Sequence, residues 1–547
     1  MVWNDEVLVV GAGPVGLTTA IALRRLGMQV RIIDKAPGTN REPRADVLFP
    51  RAGEALGAIG AGERIRDCSY QMEGADIYGD GRHIGSFRVG RLASEYPRAM
   101  TIEQHDIEKL LAEELALCGA VVEWRTQATR VDTHEDRVDV TLRRPDGGEE
   151  QTTAAWVVGC DGSRSQIREG FDIPFEGHRR RNMQVVQGNV VPSWHLPDRP
   201  GHGYFFLAPY RSVIAFPTPA GGYRIFCVRD DPDPQQTNQP TLEELRALVA
   251  EAAGIPDLKL ELTEPVWLSR SRFSDRIAGR LRNGRVLLAG DAAHAWAPIG
   301  GHGMNVGMLG AHNLAWKLAA VHHGQAAEAV LDSYEVEQRA LARGVIRDMK
   351  MNIMEALLPG LPNRIRCALL RATLPSKRFQ GRGEFVMSDF GRNFRKSPLT
   401  WQHARRPARG PRAGDRVPDV TVLVTPVDGA GRPQPAASGA VGEPSDVRST
   451  VAKPVRLHRL LPYDRWTLLL GADHVDGKAL RSVREACVDS RAPVEPVLVS
   501  ADNAEAARAL GRADEYKLVR PDRSIALVAP LDRLDLLTDY VRTFLTP

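Results

Sequence analysis

Gly11-Ala12-Gly13-Pro14-Val15-Gly16 matches the pattern GxGxxG, and the residues on either side decide how it is read. Before it, Glu6 to Val10 is a short apolar run with a β-branched bias. After it, Leu17 to Leu26 has a helical pattern that stops at Gly27, a natural helix-ending glycine. Val30 to Ile33 then reads as a second strand, closed by Asp34. Strand, glycine turn, helix and strand make the βαβ opening of a dinucleotide-binding fold. Gly11 allows the tight turn, Gly13 lets the backbone approach a pyrophosphate, and Gly16 lets the helix pack close to the strand. Pro14 and Val15 begin the helix, whose free N–H groups carry partial positive charge toward phosphates. Asp34, with Lys35 beside it, can accept hydrogen bonds from the hydroxyls of an adenosine ribose. The motif alone does not separate NAD from FAD.

Outward from this stretch, the chain is 547 residues long, which suggests three or four compact units. Hydrophobic residues at 43% and charged residues at 26% provide both a core and a wet surface, which rules out a disordered or fibrous chain. The net charge of +4 calls for neither nucleic acid nor an anionic membrane as partner. The densest basic run, Arg179 to Arg181, reads as a solvated loop. Cys68, Cys118, Cys160, Cys227, Cys367 and Cys487 form no CxxC pair and no zinc-type cluster with histidine, so reduced thiols and no metal are expected. Asp5 and Glu6 precede an apolar run too short for a signal peptide, and no stretch reaches the roughly 18 apolar residues of a spanning helix. A soluble, cytoplasmic protein is expected.

Two more strand-turn blocks follow, at Trp156 to Gly162 and at Val286 to Asp291; the second passes through a glycine-rich loop into a helix from about Met308 to Val321. Between them, Gly203 to Leu207, Val213 to Phe216 and Tyr223 to Val228 suggest an antiparallel sheet within residues 183–268. Residues 326–372 read as mostly helical, and 374–415 as a connecting segment. From about Val417 the tail has its own α/β rhythm. Trp466 to Gly471 and Val494 to Ser500 are strand-like there, and a hairpin is expected across Pro521-Asp522-Arg523. Gly429 to Ser449 reads as a surface excursion. Gly57-Ala58-Ile59-Gly60-Ala61-Gly62 follows a helical pattern, so it reads as a helix end and no second dinucleotide unit is expected.

The two later blocks hold Gly159-Cys160-Asp161-Gly162-Ser163-Arg164-Ser165, and Gly290-Asp291-Ala292-Ala293-His294 followed by Pro298-Ile299-Gly300-Gly301-His302-Gly303-Met304-Asn305. Three motifs in this order resemble the single-component FAD-dependent aromatic hydroxylases, the class of para-hydroxybenzoate hydroxylase. The overall plan is more similar to the phenol and 3-(3-hydroxyphenyl)propionate hydroxylase branch. The resemblance implies an α/β fold: a Rossmann-like FAD-binding domain interleaved with an antiparallel-sheet substrate domain, plus a degenerate thioredoxin-like C-terminal domain. The expected division is FAD-binding over 1–182 with interleaved substrate-domain segments, substrate sheet over 183–268, and the last FAD-binding part with a helical segment over 269–373. A linker over 374–415 and the thioredoxin-like domain over 416–547 complete it.

Carried over by resemblance, Arg44 and Gln104 match positions that contact FAD, and Asp161 and Gly162 match a motif associated with both FAD and NAD(P)H. Asp291 matches the acid that hydrogen-bonds the ribityl chain, and Gly300, Gly301, Gly303, Met304 and Asn305 match the loop beside the isoalloxazine ring. Two departures are visible: His302 where the family often has Gln, and Gly310 where it often has Asp. The tail has Ala472-Asp473-His474-Val475 where a redox thioredoxin would carry CxxC, so packing or oligomer contact, such as a homodimer, is its expected role. The WxWxIP signature of flavin halogenases is missing.

The resemblance implies a monooxygenase that uses NAD(P)H and O2 to hydroxylate a phenolic or polyketide-like aromatic small molecule through a C4a-hydroperoxyflavin. Such chemistry needs the ring held near the flavin, water excluded and phenol deprotonation assisted. The pocket is expected between the sheet and the Pro298 loop. Pro298, His302, Tyr204 and Tyr210 are the candidate catalytic residues, with Arg211 and Tyr223 as further polar groups of the sheet. Epoxidation or Baeyer–Villiger oxygenation on the same scaffold, oxidation of a quinone precursor, an oxygen-independent FAD reductase and a non-catalytic flavoprotein stay open.

Overall fold

A computed structural model describes residues 5–40, 47–180, 182–197, 199–219, 221–264, 266–352, 354–404, 410–425, 454–501 and 503–547. It divides into two compact units. The first comprises Met1–Leu92, Tyr96–His312 and Gln338–Gly391; the second comprises Ala93–Glu95, Asn313–Glu337 and Arg392–Pro547. Arg44 and the stretch 429–449 lie outside the described residues.

The first unit holds the βαβ opening. Strand Asp5–Val10 pairs in parallel with Val30–Asp34 on one side and Glu149–Gly159 on the other. Val122–Trp124 and Val286–Leu288 extend this sheet, also in parallel. Val7, Leu8, Val9, Ile32, Ile33, Val157 and Val158 are fully buried. That is why these runs are continuously apolar rather than alternating: a parallel sheet is covered on both faces. Because the strands are parallel, the turns after Val10, Asp34, Gly159 and Leu288 all emerge at one edge of the sheet. Ligands of open α/β sheets bind at that edge. Helix Pro14–Arg25 ends where the sequence indicates, through Gly27 at φ +85°.

A second sheet in this unit runs in the order Leu260–Leu262, Gln184–Pro192, Tyr223–Arg229, Arg211–Pro217, His202–Ala208, Gly74–Gly79, Arg82–Arg88. It is antiparallel apart from the pairing of His202–Ala208 with Gly74–Gly79. Its apolar face carries Val186, Val190, Tyr204, Phe206, Val213, Ala215, Ile225 and Cys227 against Leu245, Leu248 and Val249 of helix Leu242–Ala253. Thr241 caps that helix by accepting from the Glu244 N–H, and Gly254 ends it in the left-handed region.

In the second unit, strands run in the order Trp401–Gln402, Ile525–Pro530, Glu515–Val519, Trp466–Gly471, Val494–Ala501, Thr421–Val424, Pro454–Arg456. Trp466–Gly471 and Val494–Ala501 are parallel, and Glu515–Val519 and Ile525–Pro530 form the hairpin expected across Pro521-Asp522-Arg523. Beneath the hairpin turn lies a buried ionic cluster. Glu337 accepts from Arg520 at 2.7 and 3.0 Å and from Lys317 at 2.7 Å, and Asp522 accepts from Asn313 at 2.8 Å. Burial would push the Glu337 carboxyl up, but Arg520 and Lys317 beside it hold it well below the ordinary range.

Two elements differ from the sequence reading. The helix expected from Met308 begins at His302, so its first turn takes in Gly303, which the glycine-rich composition masks. Residues 374–415 contain a helix, Lys377–Met387, started by Ser376, whose hydroxyl accepts from the Phe379 N–H. Among the described residues, no helix is long and apolar enough to cross a membrane.

Candidate functional site: a glycine-lined dinucleotide crevice

Three glycine-bearing turns meet at the carboxyl edge of the parallel sheet. Gly11 sits at φ +107°, and a Cβ there would lie 2.4 Å from the Cys160 carbonyl oxygen. A Cβ on Gly16 would lie 1.8 Å from the Gly11 oxygen. These contacts fit only glycine, and they press the first turn onto the Gly159-Cys160-Asp161 turn. Gly290 and Gly307 close the other side: a Cβ on either would come within 2.9 Å of the Val15 methyl groups. Val15 is thus the point where the first and third motifs touch.

Asp34 fixes the first turn from below. Its Oδ2 accepts from the Ala12 N–H at 2.7 Å and its Oδ1 from the Ala36 N–H at 2.8 Å. Lys35 is exposed. The Gln104 amide donates to Glu108 Oε1 at 2.7 Å, and the other oxygen of Glu108 accepts from the Asn40 N–H at 3.0 Å. Burial pushes the Glu108 carboxyl up. Asp161 accepts from the Ile167 N–H through Oδ2 at 3.2 Å, while its Oδ1 is buried with no hydrogen-bond partner among the described residues. Burial raises the Asp161 carboxyl too. Gly162 follows at φ +81° with open space around it, and Asp291 is exposed beside Gly290.

The crevice fits FAD on observations independent of the motifs. A Cβ on Gly13 would meet nothing within 4 Å, so the start of helix Pro14–Arg25 is open to a ligand. No acid stands in that helix's first turn to repel phosphate. Asp161 adds a buried carboxylate beside the first glycine turn.

The Pro298 loop forms the far wall. Pro298 is half-buried, and the Gly301 N–H donates to its carbonyl at 3.0 Å. Gly300 and Gly301 both have positive φ, +74° and +72°. The Gly300 N–H donates to Glu355 at 2.9 and 3.2 Å. His302 pairs with the buried Asp389 at 3.0 Å and packs on the Phe49 ring at 5.0 Å. The Asn305 side chain is spent on the protein: it accepts from the Phe49 N–H at 2.7 Å and donates to Val47 and Gly301, each at 2.9 Å. Gly303 and Met304 lie in the first turn of helix His302–His322, where backbone N–H groups are unsatisfied within the helix. Trp296 stacks on His294 at 4.9 Å, its indole N–H buried with no partner among the described residues, and burial pushes the His294 imidazole down to about 4.

The tyrosine candidates are elsewhere. Tyr204 lies fully buried on the helix-covered face of the second sheet, its hydroxyl donating to the Pro197 carbonyl. Tyr223 packs on the same face, edge-on to Tyr204 at 5.7 Å. Tyr210 is exposed at a turn with φ +56°. Alternation along the strands instead gives the opposite face to Phe205, Ile214, Phe216, Phe226, Gln187 and Arg224, through the cross-strand partners Phe205–Ile214, Ile214–Phe226, Phe226–Gln187 and Phe216–Arg224. On this face Phe205 and Phe216 meet edge-on at 6.3 Å, and Arg224 lies over the Trp267 ring at 4.5 Å.

Sequence reasoning also missed Arg168, Arg180, Glu355 and Asp389. Arg168 is buried; it donates to the carbonyls of Ala292 and Ser163 and so ties the second and third motifs together. Arg180 is no solvated residue: its guanidinium pairs with the buried Asp275 at 2.9 Å. No spacing rule links residues so far apart in sequence.

Comparisons with known proteins agree with this geometry. Residues 4–349 match the model of an FAD binding domain. Over 98% of this chain and 94% of its relative, the sequence is 32% identical to 6-methylpretetramide 4-monooxygenase of Streptomyces rimosus. It is 28% identical to pentachlorophenol 4-monooxygenase of Sphingobium chlorophenolicum over 99% and 97% of the two chains. The solved structure of the anhydrotetracycline hydroxylase OxyS from Streptomyces rimosus superposes with a TM-score of 0.73 at 27% identity, covering 99% of each chain. The chain therefore belongs to the FAD-binding family of flavin-dependent monooxygenases.

Proposed function

We propose that this monooxygenase hydroxylates a phenolic or polyketide-like aromatic small molecule, with NAD(P)H as electron donor and O2 as the oxygen source. The observation that carries the reading is the sheet face that Phe205, Phe216 and Phe226 share with Ile214, Gln187 and Arg224. Flat apolar rings on a rigid sheet, with few polar groups among them, suit an aromatic ligand. The names of the two relatives above, which act on a pretetramide and on a chlorinated phenol, support the same class.

When bound, FAD supplies the electron transfer and oxygen activation that the reaction needs. Gly11, Gly13, Pro14, Val15 and Gly16 would receive its pyrophosphate, and Asp34 its adenosine ribose. Gln104, Asp161, Gly162 and Asp291 would line the rest of the crevice. The loop from Pro298 through Gly300, Gly301, Gly303 and Met304 would border the ring, with Asn305 holding that loop to Phe49 and His302 anchoring it through Asp389. The aromatic face orients the substrate and excludes water.

We also read the second unit's core as a thioredoxin-like domain without redox activity that serves packing or a homodimer contact, by analogy with the branch it resembles, and we read the protein as cytoplasmic. Support for the domain reading is the strand order: a parallel pair, Trp466–Gly471 and Val494–Ala501, followed by an antiparallel pair, Glu515–Val519 and Ile525–Pro530. The functional test is a panel of phenols and polycyclic aromatics screened for stimulation of NAD(P)H oxidation, with product mass. A gain of one oxygen atom supports hydroxylation; stimulation without product oxygenation counts against it.

A further inference from the structure

The turn Pro298–Gly301 is gripped by two acids that belong to no motif. Glu355 is buried, 6% exposed, and both its oxygens face the Gly300 N–H, at 2.9 and 3.2 Å. Asn352 donates to the same carboxylate at 3.3 Å. Asp389, 1% exposed, takes His302 at 3.0 Å. His302 in turn packs against Gly300: a Cβ on that glycine would lie 3.0 Å from the ring. Both acids therefore act on one backbone turn, from segments 55 and 87 residues further along the chain.

We propose that Glu355 is a positioning residue for the Gly300–Gly301 turn and couples the setting of that turn to uptake of one proton. As a carboxylate it holds the Gly300 N–H. As a carboxylic acid it is a weaker acceptor, and the N–H becomes available to whatever lies in front of the turn. The step is protonation of one oxygen, with no bond to carbon made or broken. Geometry supplies the latch: the Gly300 N–H gives its bond to the Glu355 side chain, 55 residues further along the chain, whereas the Gly301 N–H beside it goes to the Pro298 carbonyl. Burial pushes Glu355 up to about 7, opposed by the Gly300 N–H, His302, Asn352 and Arg180. Arg180 is already paired with Asp275, and His302 with Asp389, so neither is committed to Glu355 alone.

The inference rests on the reading that sets the Pro298 loop beside the flavin. The test uses the full-length holoprotein as wild type, Glu355→Gln, Glu355→Ala and, as a control for that reading, Gly301→Ala. The absorbance spectrum of the bound flavin is titrated from pH 5.5 to 8.5, and FAD affinity is measured at pH 8. The wild-type spectrum should shift with a single proton. Glu355→Gln keeps an acceptor for Gly300, so FAD affinity should stay within about twofold while the shift disappears; Glu355→Ala should bind FAD about tenfold more weakly. A wild-type spectrum flat across this range, or a Gln variant that titrates like wild type, overturns the latch. If Gly301→Ala alters the spectrum while the Glu355 variants do not, the latch fails and the loop reading stands. If no variant alters the spectrum, the loop reading itself fails. Should the Ala variant not fold, the Gln comparison decides alone.

Discussion

Asp34 and Gly11 show what single residues contribute to the crevice. Asp34 is the acceptor for two backbone N–H groups, those of Ala12 in the glycine turn and of Ala36 beyond the strand. Asp34→Ala leaves the Ala12 N–H without its charged partner, a loss of about 1.5–3 kcal/mol. FAD affinity, followed by quenching of its fluorescence, should fall by tenfold or more; an unchanged dissociation constant would remove Asp34 from the site. Tyr204→Phe makes the opposite case. Its hydroxyl serves the Pro197 carbonyl inside a packed core, so the change should cost about 1 kcal/mol in urea denaturation and leave kcat and KM within about twofold. A large drop in kcat with normal stability would return Tyr204 to the catalytic set. The glycines and Asp34 were legible in the sequence because each obeys a local spacing rule set by one turn. Glu355, Asp389 and Arg180 were not, because their partners lie 55, 87 and 95 residues away and nothing local marks the meeting.

At the level of elements, the decisive feature of the second sheet is which way its strands face. Both faces carry large apolar side chains, so the alternation that marks a half-exposed strand is absent and parity cannot be read from the sequence. Tyr204 and Tyr223 suggest a polar pocket; pairing with helix Leu242–Ala253 turns them into core, and Phe205, Phe216 and Phe226 take the other side. Phe216→Ala should raise KM for an aromatic substrate about tenfold, whereas Tyr223→Phe should not move it. Steady-state kinetics on both variants checks this, and a reversed result would mean that substrate sits on the helix-covered side. A turn and a strand make a chemical prediction too. Burial pushes the Cys160 and Cys227 thiols up to about 12, so alkylation of native protein at pH 8 should modify exposed Cys68 and spare both. Peptide mass mapping reads the outcome; early modification of Cys160 would mean that the second turn is open.

On the scale of the whole molecule, the sequence was most informative about the parallel sheet and the tail's strands and hairpin, and least about what stabilises the tail. The second unit is held by Glu337, Arg520, Lys317 and Asp522, a buried network whose removal leaves uncompensated charge. Glu337→Ala should destabilise this unit by about 3–5 kcal/mol. Because Glu337 is held below its ordinary value, its stabilisation is complete above the unfolded carboxyl range and is lost as pH falls through the folded value. The gap in melting temperature between wild type and the variant should therefore narrow below about pH 4. A constant gap would place the stabilisation elsewhere.

The central claim is that the crevice and the aromatic face together insert one atom of O2 into an aromatic ring. The most direct measurement is turnover of the best substrate from the screen under oxygen-18 gas, with NAD(P)H and FAD-loaded protein, and mass analysis of the product. A product heavier by one oxygen-18 atom is the expected result. A product that carries oxygen from water, or no added oxygen, would contradict it.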